Sequence, residues 1–179
     1  MFKNILIDYI KEHTLNELLL LIFISIILSI FFATLFTGFS DIFVSSLMAV
    51  YSIFAGFLFN LMVMLSNMAK EIAISNEEPL SRTELKKMKL QVIERGLKII
   101  SASILFAIIN IVLMLLYLLN WQFIKSIIIN LDIVCILQHI FIGIVDFFII
   151  IFLNSLYKIL NITHILLQKD IELKFKDFI

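Results

Sequence analysis

Residues 99–119 read IISASILFAIINIVLMLLYLL, a run of 21 residues without one charged side chain. About 20 mostly apolar residues cross the hydrocarbon core of a bilayer as an α-helix, so this run predicts a membrane-spanning helix. Residues 18–36, 42–65 and 133–157 have the same character, and only the last of these stretches contains a charge, Asp146. The sequence therefore predicts four membrane-spanning helices.

The composition of the whole chain agrees with this prediction. Among 179 residues, 62% are hydrophobic and 16% are charged, against roughly 45–50% and about 25% in soluble proteins. Too few polar side chains are present to cover a soluble globular enzyme, and disorder requires the opposite composition. Strands of a membrane β-barrel alternate apolar and polar residues, which these runs do not. The predicted fold is an all-α polytopic membrane protein with one membrane domain, embedded in the lipid bilayer.

The basic residues predict the orientation. Of 14 lysine and arginine residues, 13 lie before the first span, between the second and third spans, or after the fourth; Lys125 is the exception. Basic residues are retained in the cytoplasm. We therefore predict that residues 1–14, the central connection 66–98 and the tail 158–179 are cytoplasmic.

Residues 1–14 are predicted to form a separate short helix. Apolar side chains, Tyr9 among them, fall on one helical face, which is typical of a helix lying in the membrane interface. Thr14 and Glu17 have the spacing of a capping box, in which two side chains satisfy the free backbone groups at a helix start. This box predicts where the first span begins.

Residues 66–98 are predicted to form an antiparallel helical hairpin that turns at residues 75–79. A second capping-box pattern, Ser-Arg-Thr-Glu at residues 81–84, begins a helix that nothing in the sequence stops before Leu119. A short loop containing Trp121, a residue type that favours the membrane interface, is predicted to connect the last two spans.

Small and polar residues recur on one face of three spans. In lipid, helices associate through such residues, because they allow close approach and hydrogen bonding. Ser52 and Gly56 form a small-xxx-small pair of this kind. We predict helix packing for Ser25, Ser29 and Ala33 in the first span, for Ser45, Ala49, Ser52, Gly56 and Asn60 in the second, and for Ser103, Ala107 and Asn110 in the third.

The fourth span carries a polar face made of His139, Gly143, Asp146 and Asn154. An ionisable side chain near the bilayer centre costs at least ~2.5–3.5 kcal/mol on insertion scales, so it is retained where it faces a partner or water. Three interpretations are open. Asp146 hydrogen-bonds Asn60, Asn110 or a hydroxyl group within one subunit, or the face lines a water-filled path in an oligomer. In the third, Asp146 relays protons with His139, from which two helical turns separate it.

The central hairpin is rich in basic side chains, with seven basic and five acidic residues between positions 69 and 98. A solvated rod that follows the positive-inside rule explains this charge. A docking surface for a cytoplasmic partner protein, or for an anionic ligand such as a nucleotide or short nucleic acid, is the alternative, although aromatic residues for base stacking are absent. The candidate docking residues are Arg82, Lys86, Lys87, Lys89 and Arg95.

No pattern for catalysis is present. The chain lacks a glycine-rich phosphate loop, a histidine and cysteine cluster with metal-ligand spacing, and a serine, histidine and aspartate set placed in a soluble pocket. We therefore expect no enzyme activity, no cofactor and no metal site. The lone Cys135 is predicted to fill the core, and His13 and His164 are predicted to lie on the surface.

The predicted topology and the stretch Ala-Gly-Phe-Leu-Phe-Asn at residues 55–60 resemble small four-span membrane proteins of bacterial anti-phage defence systems, such as the membrane subunits of Kiwa and Hailong. The resemblance implies a location in a bacterial inner membrane. It also implies a homo-oligomer, with a tetramer as the expected number, that either opens an ion path or anchors a cytoplasmic partner.

Three functions follow as hypotheses. The first is a defence effector that forms a gated homo-oligomeric ion channel or pore and depolarises the inner membrane, with the polar face around Asp146 lining the path. The second is a membrane scaffold or sensor whose hairpin anchors a cytoplasmic nuclease, nucleotidyltransferase or DNA-binding protein. The third is a holin-like lysis protein, which the small size and the several spans favour.

Overall fold

The computed structural model describes residues 2–35, 40–74, 80–127 and 131–176. They form five α-helices and no β-strand within these ranges: α1 (Phe2–Lys11), α2 (Leu15–Leu35), α3 (Asp41–Ile74), α4 (Leu80–Ile127) and α5 (Leu131–Lys176). The four helices α2 to α5 are each long and apolar enough to cross a membrane. The predicted all-α fold with four long apolar helices is confirmed, and it suggests a multi-pass membrane protein.

Side-chain hydrogen bonds cap the N-termini of two of the long helices. At the start of α2, the Thr14 backbone N–H donates to Glu17 Oε2 (3.4 Å), and the Glu17 N–H donates to Thr14 Oγ1 (3.3 Å). These two bonds are the predicted capping box. At the start of α3, Ser40 Oγ accepts a hydrogen bond of 3.2 Å from the Phe43 backbone N–H.

Two helices extend beyond their predicted limits. Trp121 lies within α4, which ends at Ile127, so the predicted short loop around Trp121 is wrong. Residues 120–127 contain no glycine or proline, and therefore no residue there stops the helix. The tail after the fourth span also continues α5 as far as Lys176. The predicted hairpin turn at residues 75–79 lies outside the described residues.

The helices pack in a row, in the order α3, α4, α5 and α2, and α1 packs on α4. Half of the most apolar segment of α4 is buried, against 17% of the corresponding segments of α2 and α3. Helix α4 is thus the centre of the domain. The outer faces of α2 and α3 are exposed, which in a membrane places them against lipid or another protein.

A seven-residue repeat determines which side chains enter the core. Such a repeat is typical of left-handed coiled-coil packing, in which side chains of one helix fill holes between four side chains of the next. On α4 eight of the buried positions recur in alternating steps of three and four: Ile93, Gly96, Ile100, Ser103, Ala107, Asn110, Met114 and Tyr117. On the two neighbouring helices, buried residues also recur at every seventh position. They are Val44, Tyr51, Leu58 and Leu65 on α3, and Val145, Phe152, Ile159 and Leu166 on α5.

Helix α1 is anchored to the bundle by Tyr9. The Tyr9 ring is buried edge-to-face against Phe106 of α4, with centroids 5.4 Å apart. Its hydroxyl accepts a hydrogen bond of 3.2 Å from Ser155 Oγ of α5. Tyr9 was predicted to lie on the membrane-facing side of this helix; it lies in the protein core, whereas the neighbouring Leu6 and Ile10 are exposed.

Candidate functional site

The first candidate site surrounds Asp146 on α5. Its carboxyl group is half-buried, and the Oδ2 atom is fully enclosed without a hydrogen-bond partner among the described residues. The carboxylate also acts electrostatically on the hydroxyl of Tyr51, a buried residue of α3, so both groups occupy the same part of the core. One oxygen of the Asp146 carboxyl group therefore lies in the core without a hydrogen bond from the described residues that would stabilise it.

Three more buried polar side chains in the domain have the same property. Asn110 on α4 is fully buried, and neither its Oδ1 nor its Nδ2 has a partner in the described part of the chain. The hydroxyl oxygens of Ser25 and Ser29 on α2 are also buried and unpartnered there. Buried polar atoms are nearly always hydrogen-bonded, so each exception requires an explanation. We call Ser25, Ser29, Asn110 and Asp146 the polar layer.

Ring contacts place Asn110 and Asp146 at similar depth. Two aromatic pairs connect the antiparallel helices α4 and α5, with centroids 5.2 and 6.4 Å apart: Tyr117 with Phe141, and Phe106 with Phe148. Asn110 lies between the two rings of α4, and Asp146 lies between the two rings of α5. Both positions are close to the middle of their predicted spans.

Hard cations are coordinated most readily by oxygen atoms, such as those of carboxylate, amide and hydroxyl groups. The same oxygen atoms accept hydrogen bonds from protonated water. An intramembrane carboxyl group is a common mark of an ion or proton pathway. The described residues contain no group of three or more histidine, cysteine, aspartate or glutamate side chains that would hold a metal ion.

The other three residues of the predicted fourth-span face do not form one continuous surface with Asp146. Gly143 faces α2, since a Cβ atom there would lie 3.8 Å from the Ala33 Cβ. His139 is half-buried and lines an apolar groove of about 650 Å³ between α2 and α5. Asn154 lies beside the Tyr9 hydroxyl. All four residues of this face are half-buried, and they contact different parts of the protein.

Two of the predicted contacts of Asp146 are not formed. The hydrogen bond to Asn110 is wrong, because neither amide atom of Asn110 has a partner within the described ranges, which include Asp146. Asn60 is exposed on α3. His139 instead directs Nδ1 at its own helix, where it donates to the Cys135 carbonyl oxygen over 2.7 Å. Cys135 was predicted to fill the core; it is exposed.

The second candidate site is the outer face of α3. All five small or polar residues predicted to pack in the second span are exposed: Ser45, Ala49, Ser52, Gly56 and Asn60. A Cβ atom at Gly56 would have no neighbouring atom within 4 Å. The expected close helix approach at Gly56 is therefore absent within the protomer, because α3 packs through its opposite face. We call these five residues the α3 stripe.

The matching stripes on two other helices face inward. Ser103, Ala107 and Asn110 are completely buried at the centre of the domain. On α2, Ala33 is buried together with Ser25 and Ser29, and these three are the buried residues of that helix. Small side chains at these positions allow α2 and α4 to approach their neighbours closely.

The predicted docking residues do not form one free surface. Arg95 Nε donates to Glu12 Oε2 over 2.6 Å, and Lys98 Nζ lies 3.4 Å from Glu12 Oε1. Lys87 is exposed, Lys86 and Lys89 are half-buried, and the side chain of Arg82 lies outside the described residues. Arg95 therefore has a structural contact with the N-terminal segment, which sequence analysis did not find because 83 residues separate the partners.

Among the residues near α1, His13 differs most from its prediction. It was predicted to lie on the surface, but only 8% of it is exposed. Its Nδ1 lies 2.9 Å from the Tyr9 carbonyl oxygen, and its Nε2 is buried without a partner among the described residues. Burial lowers the pKa of His13 below its ordinary value of 6.5, and the nearby Lys158 lowers it further, against the opposing hydrogen bond to Tyr9 and the charges of Glu17 and Glu12.

This burial predicts acid-sensitive attachment of α1. The native state resists protonating His13, whereas the unfolded chain takes up a proton below pH ~6.5, so the stabilising effect is complete above that pH. It is lost as the pH falls through the lowered pKa of the native state. We expect hydrogen exchange of α1 to accelerate between pH 7.5 and pH 5, after correction for intrinsic exchange.

The matched variants are His13→Gln and His164→Gln, which replace a buried and an exposed histidine. The pH effect should disappear in the first and remain in the second. An unchanged pH profile in His13→Gln would assign the acid sensitivity to another group.

Comparison with known proteins gives no match to this chain among protein-family models, curated proteins or solved structures.

Proposed function

We propose that this protein is a homo-oligomeric ion channel of a bacterial inner membrane, with α1 and the basic residues at the cytoplasmic side. The polar layer carries this proposal. It combines a carboxyl group with an unpartnered amide and unpartnered hydroxyl groups in the membrane domain. A passing cation or proton would supply the missing interactions for a short time, whereas a purely structural core has no use for four polar side chains without partners.

The α3 stripe supports the oligomeric part of the proposal. Five small or polar side chains on the outer face of a membrane helix gain nothing from contact with lipid tails. A second copy packed on the stripe would approach closely at Gly56 and offer hydrogen-bonding partners to Ser52 and Asn60. Ions would then pass along the polar layer of each protomer, and not along the path around α5 that the sequence predicted.

Opening and closing would involve the end of the domain that carries most of the basic residues, where α1 contacts both α4 and α5. We call this end the basic end. Glu12 links it to Arg95 and Lys98, and Tyr9 links it to Ser155. These contacts lie at one end of the domain, so a signal that releases α1 would change the packing of the two helices that carry Asn110 and Asp146. The depolarising, anti-phage role comes from the resemblance of residues 55–60 and is proposed on that ground.

Purified protein reconstituted in planar bilayers tests the channel. We expect discrete current steps that carry cations or protons, and we expect them to increase when α1 is released by Glu12→Gln. A membrane that stays sealed with both proteins would overturn the proposal. Large pores that also release proteins, with lysis at a fixed time after expression, would contradict it too and indicate the holin-like alternative.

The defence role has its own test. Cells that express the protein from its native locus should lose membrane potential early in phage infection, before phage progeny appear. Unchanged potential and unchanged phage yield relative to cells without the protein would refute the defence role and leave channel activity unaffected.

A further inference from the structure

A groove of about 480 Å³ lies between α2 and α5 at the basic end. Its walls are apolar and include Leu20, Ile24 and Leu153, all of which are exposed. Its rim is polar and consists of His13, Glu17, Asn154 and Lys158. Apolar walls under a polar rim have the chemistry of a lipid molecule, whose acyl chain and headgroup meet at the same boundary.

The groove also lies at the depth of a headgroup. Glu17 comes directly before the first predicted span, residues 18–36, and Lys158 comes directly after the fourth, residues 133–157. The two side chains meet across the rim, where Lys158 Nζ lies 3.4 Å from Glu17 Oε2. One cation and one carboxylate are therefore held together at the point where hydrocarbon gives way to headgroups.

His13 supplies a further requirement. The Tyr9 carbonyl oxygen can only accept a hydrogen bond, so Nδ1 of His13 carries the proton that is donated over 2.9 Å. In the neutral ring, Nε2 is then an acceptor. This atom is enclosed and has no donor in the described part of the chain, although His13 lines the groove. A ligand of the groove that donates a hydrogen bond would therefore supply the missing partner of His13 Nε2.

We propose that this groove binds phosphatidylethanolamine, a phospholipid with a primary ammonium group. The ammonium N–H groups would donate to Glu17 and, after a small shift of the side chains that enclose it, to His13 Nε2. The phosphate would contact Lys158, and one acyl chain would lie along Leu20, Ile24 and Leu153. Charge complementarity decides among headgroups. Phosphatidylglycerol has no cation for Glu17, and phosphatidylcholine has a cation but no N–H to donate.

This inference goes beyond the proposed channel and does not depend on it. Lipid binding requires only that the basic end lies in the headgroup region. Sealed bilayers in current recordings would therefore leave it intact.

Native mass spectrometry of the delipidated protein tests the assignment. Three lipids with identical acyl chains are compared: phosphatidylethanolamine, phosphatidylcholine and phosphatidylglycerol. Loss of one hydrogen bond to a charged group weakens binding by about tenfold, so we expect phosphatidylethanolamine to bind about tenfold more tightly than either of the others. Phosphoethanolamine without acyl chains should not compete, because it cannot use the apolar walls. Equal affinity for the three lipids, or competition by free phosphoethanolamine, would overturn the proposal.

Variants locate the site. Glu17→Gln keeps a residue that can complete the capping box but removes the carboxylate, and His13→Asn keeps a donor toward the Tyr9 carbonyl but removes Nε2. Both should reduce the preference for phosphatidylethanolamine over phosphatidylcholine to about one, and His164→Asn should not change it. A preference that persists in Glu17→Gln would refute the site. Should delipidated variants unfold, lipid retained after extraction from mixed nanodiscs gives the same comparison.

Discussion

Replacing Asp146 by leucine is expected to abolish ion conduction and, at the same time, to make the protein more stable. The two effects have one cause. Asp146 has an enclosed oxygen without a hydrogen-bond partner among the described residues, and such a group costs about 1–3 kcal/mol of stability. Leucine removes that cost and also removes the charge that would attract a cation or hold a proton in the polar layer.

The expected magnitudes are large enough to measure. Conductance in planar bilayers should fall at least about tenfold, because one lost site worth 1.4 kcal/mol already changes an equilibrium by that factor. Thermal unfolding in detergent should shift to higher temperature. Asp146→Asn is the intermediate variant, since it keeps the shape and polarity of the side chain but loses the charge.

Asn110→Leu is the matched control for this experiment. Asn110 is buried at similar depth, and both its amide atoms lack a partner among the residues that the structure describes. It too should therefore stabilise the fold when made apolar, yet it carries no charge. Conductance should therefore decrease less than in Asp146→Leu. A less stable Asp146→Leu protein would mean that the carboxyl group has a stabilising partner, and the polar layer would lose its interpretation as an ion site.

Local features of this fold could be predicted from the sequence, and its packing could not. The capping box of Thr14 and Glu17 involves residues three apart, so its sequence pattern is sufficient. On α4 the small and polar part of the seven-residue repeat, Ser103, Ala107 and Asn110, could be predicted. Its apolar positions could not, because in a membrane protein lipid-facing positions are as apolar as buried ones, and the hydrophobic pattern no longer distinguishes the two faces. Composition and length therefore predict the number of spans but not their neighbours.

The candidate sites illustrate the same limit. The stripe with Ser52 and Gly56 and the stripe with Ser103 and Ala107 have equivalent chemistry, yet the first is exposed and the second is buried. Only the position of α4 at the centre of the row separates them. The polar face around Asp146 was recognisable from the sequence, because an ionisable residue in a span is rare. Within this face, Gly143 faces α2 and Asn154 lies beside Tyr9. These contacts depend on long-range packing that no local sequence pattern records.

Gly56→Leu is expected to dissociate the oligomer without harming the protomer. No atom lies within 4 Å of a Cβ atom at Gly56, so the larger side chain fits within the single subunit. Leucine also favours the helix by up to about 1 kcal/mol relative to glycine. Any loss must therefore come from contact between subunits, where bulk at Gly56 would force the helices apart.

Energy transfer between labelled copies in liposomes, measured over a range of protein-to-lipid ratios, would report the association. We expect Gly56→Leu to weaken it at least about tenfold, and Asn60→Leu to weaken it less, because interhelical polar contacts in membranes contribute only ~0.6 kcal/mol on average. Val50→Leu adds bulk at an exposed position of the same helix outside the α3 stripe and should leave association unchanged. Equal association in all three variants would show that copies do not meet at the α3 stripe. Since the subunits are proposed to conduct only when assembled, currents should fall in the same order as association.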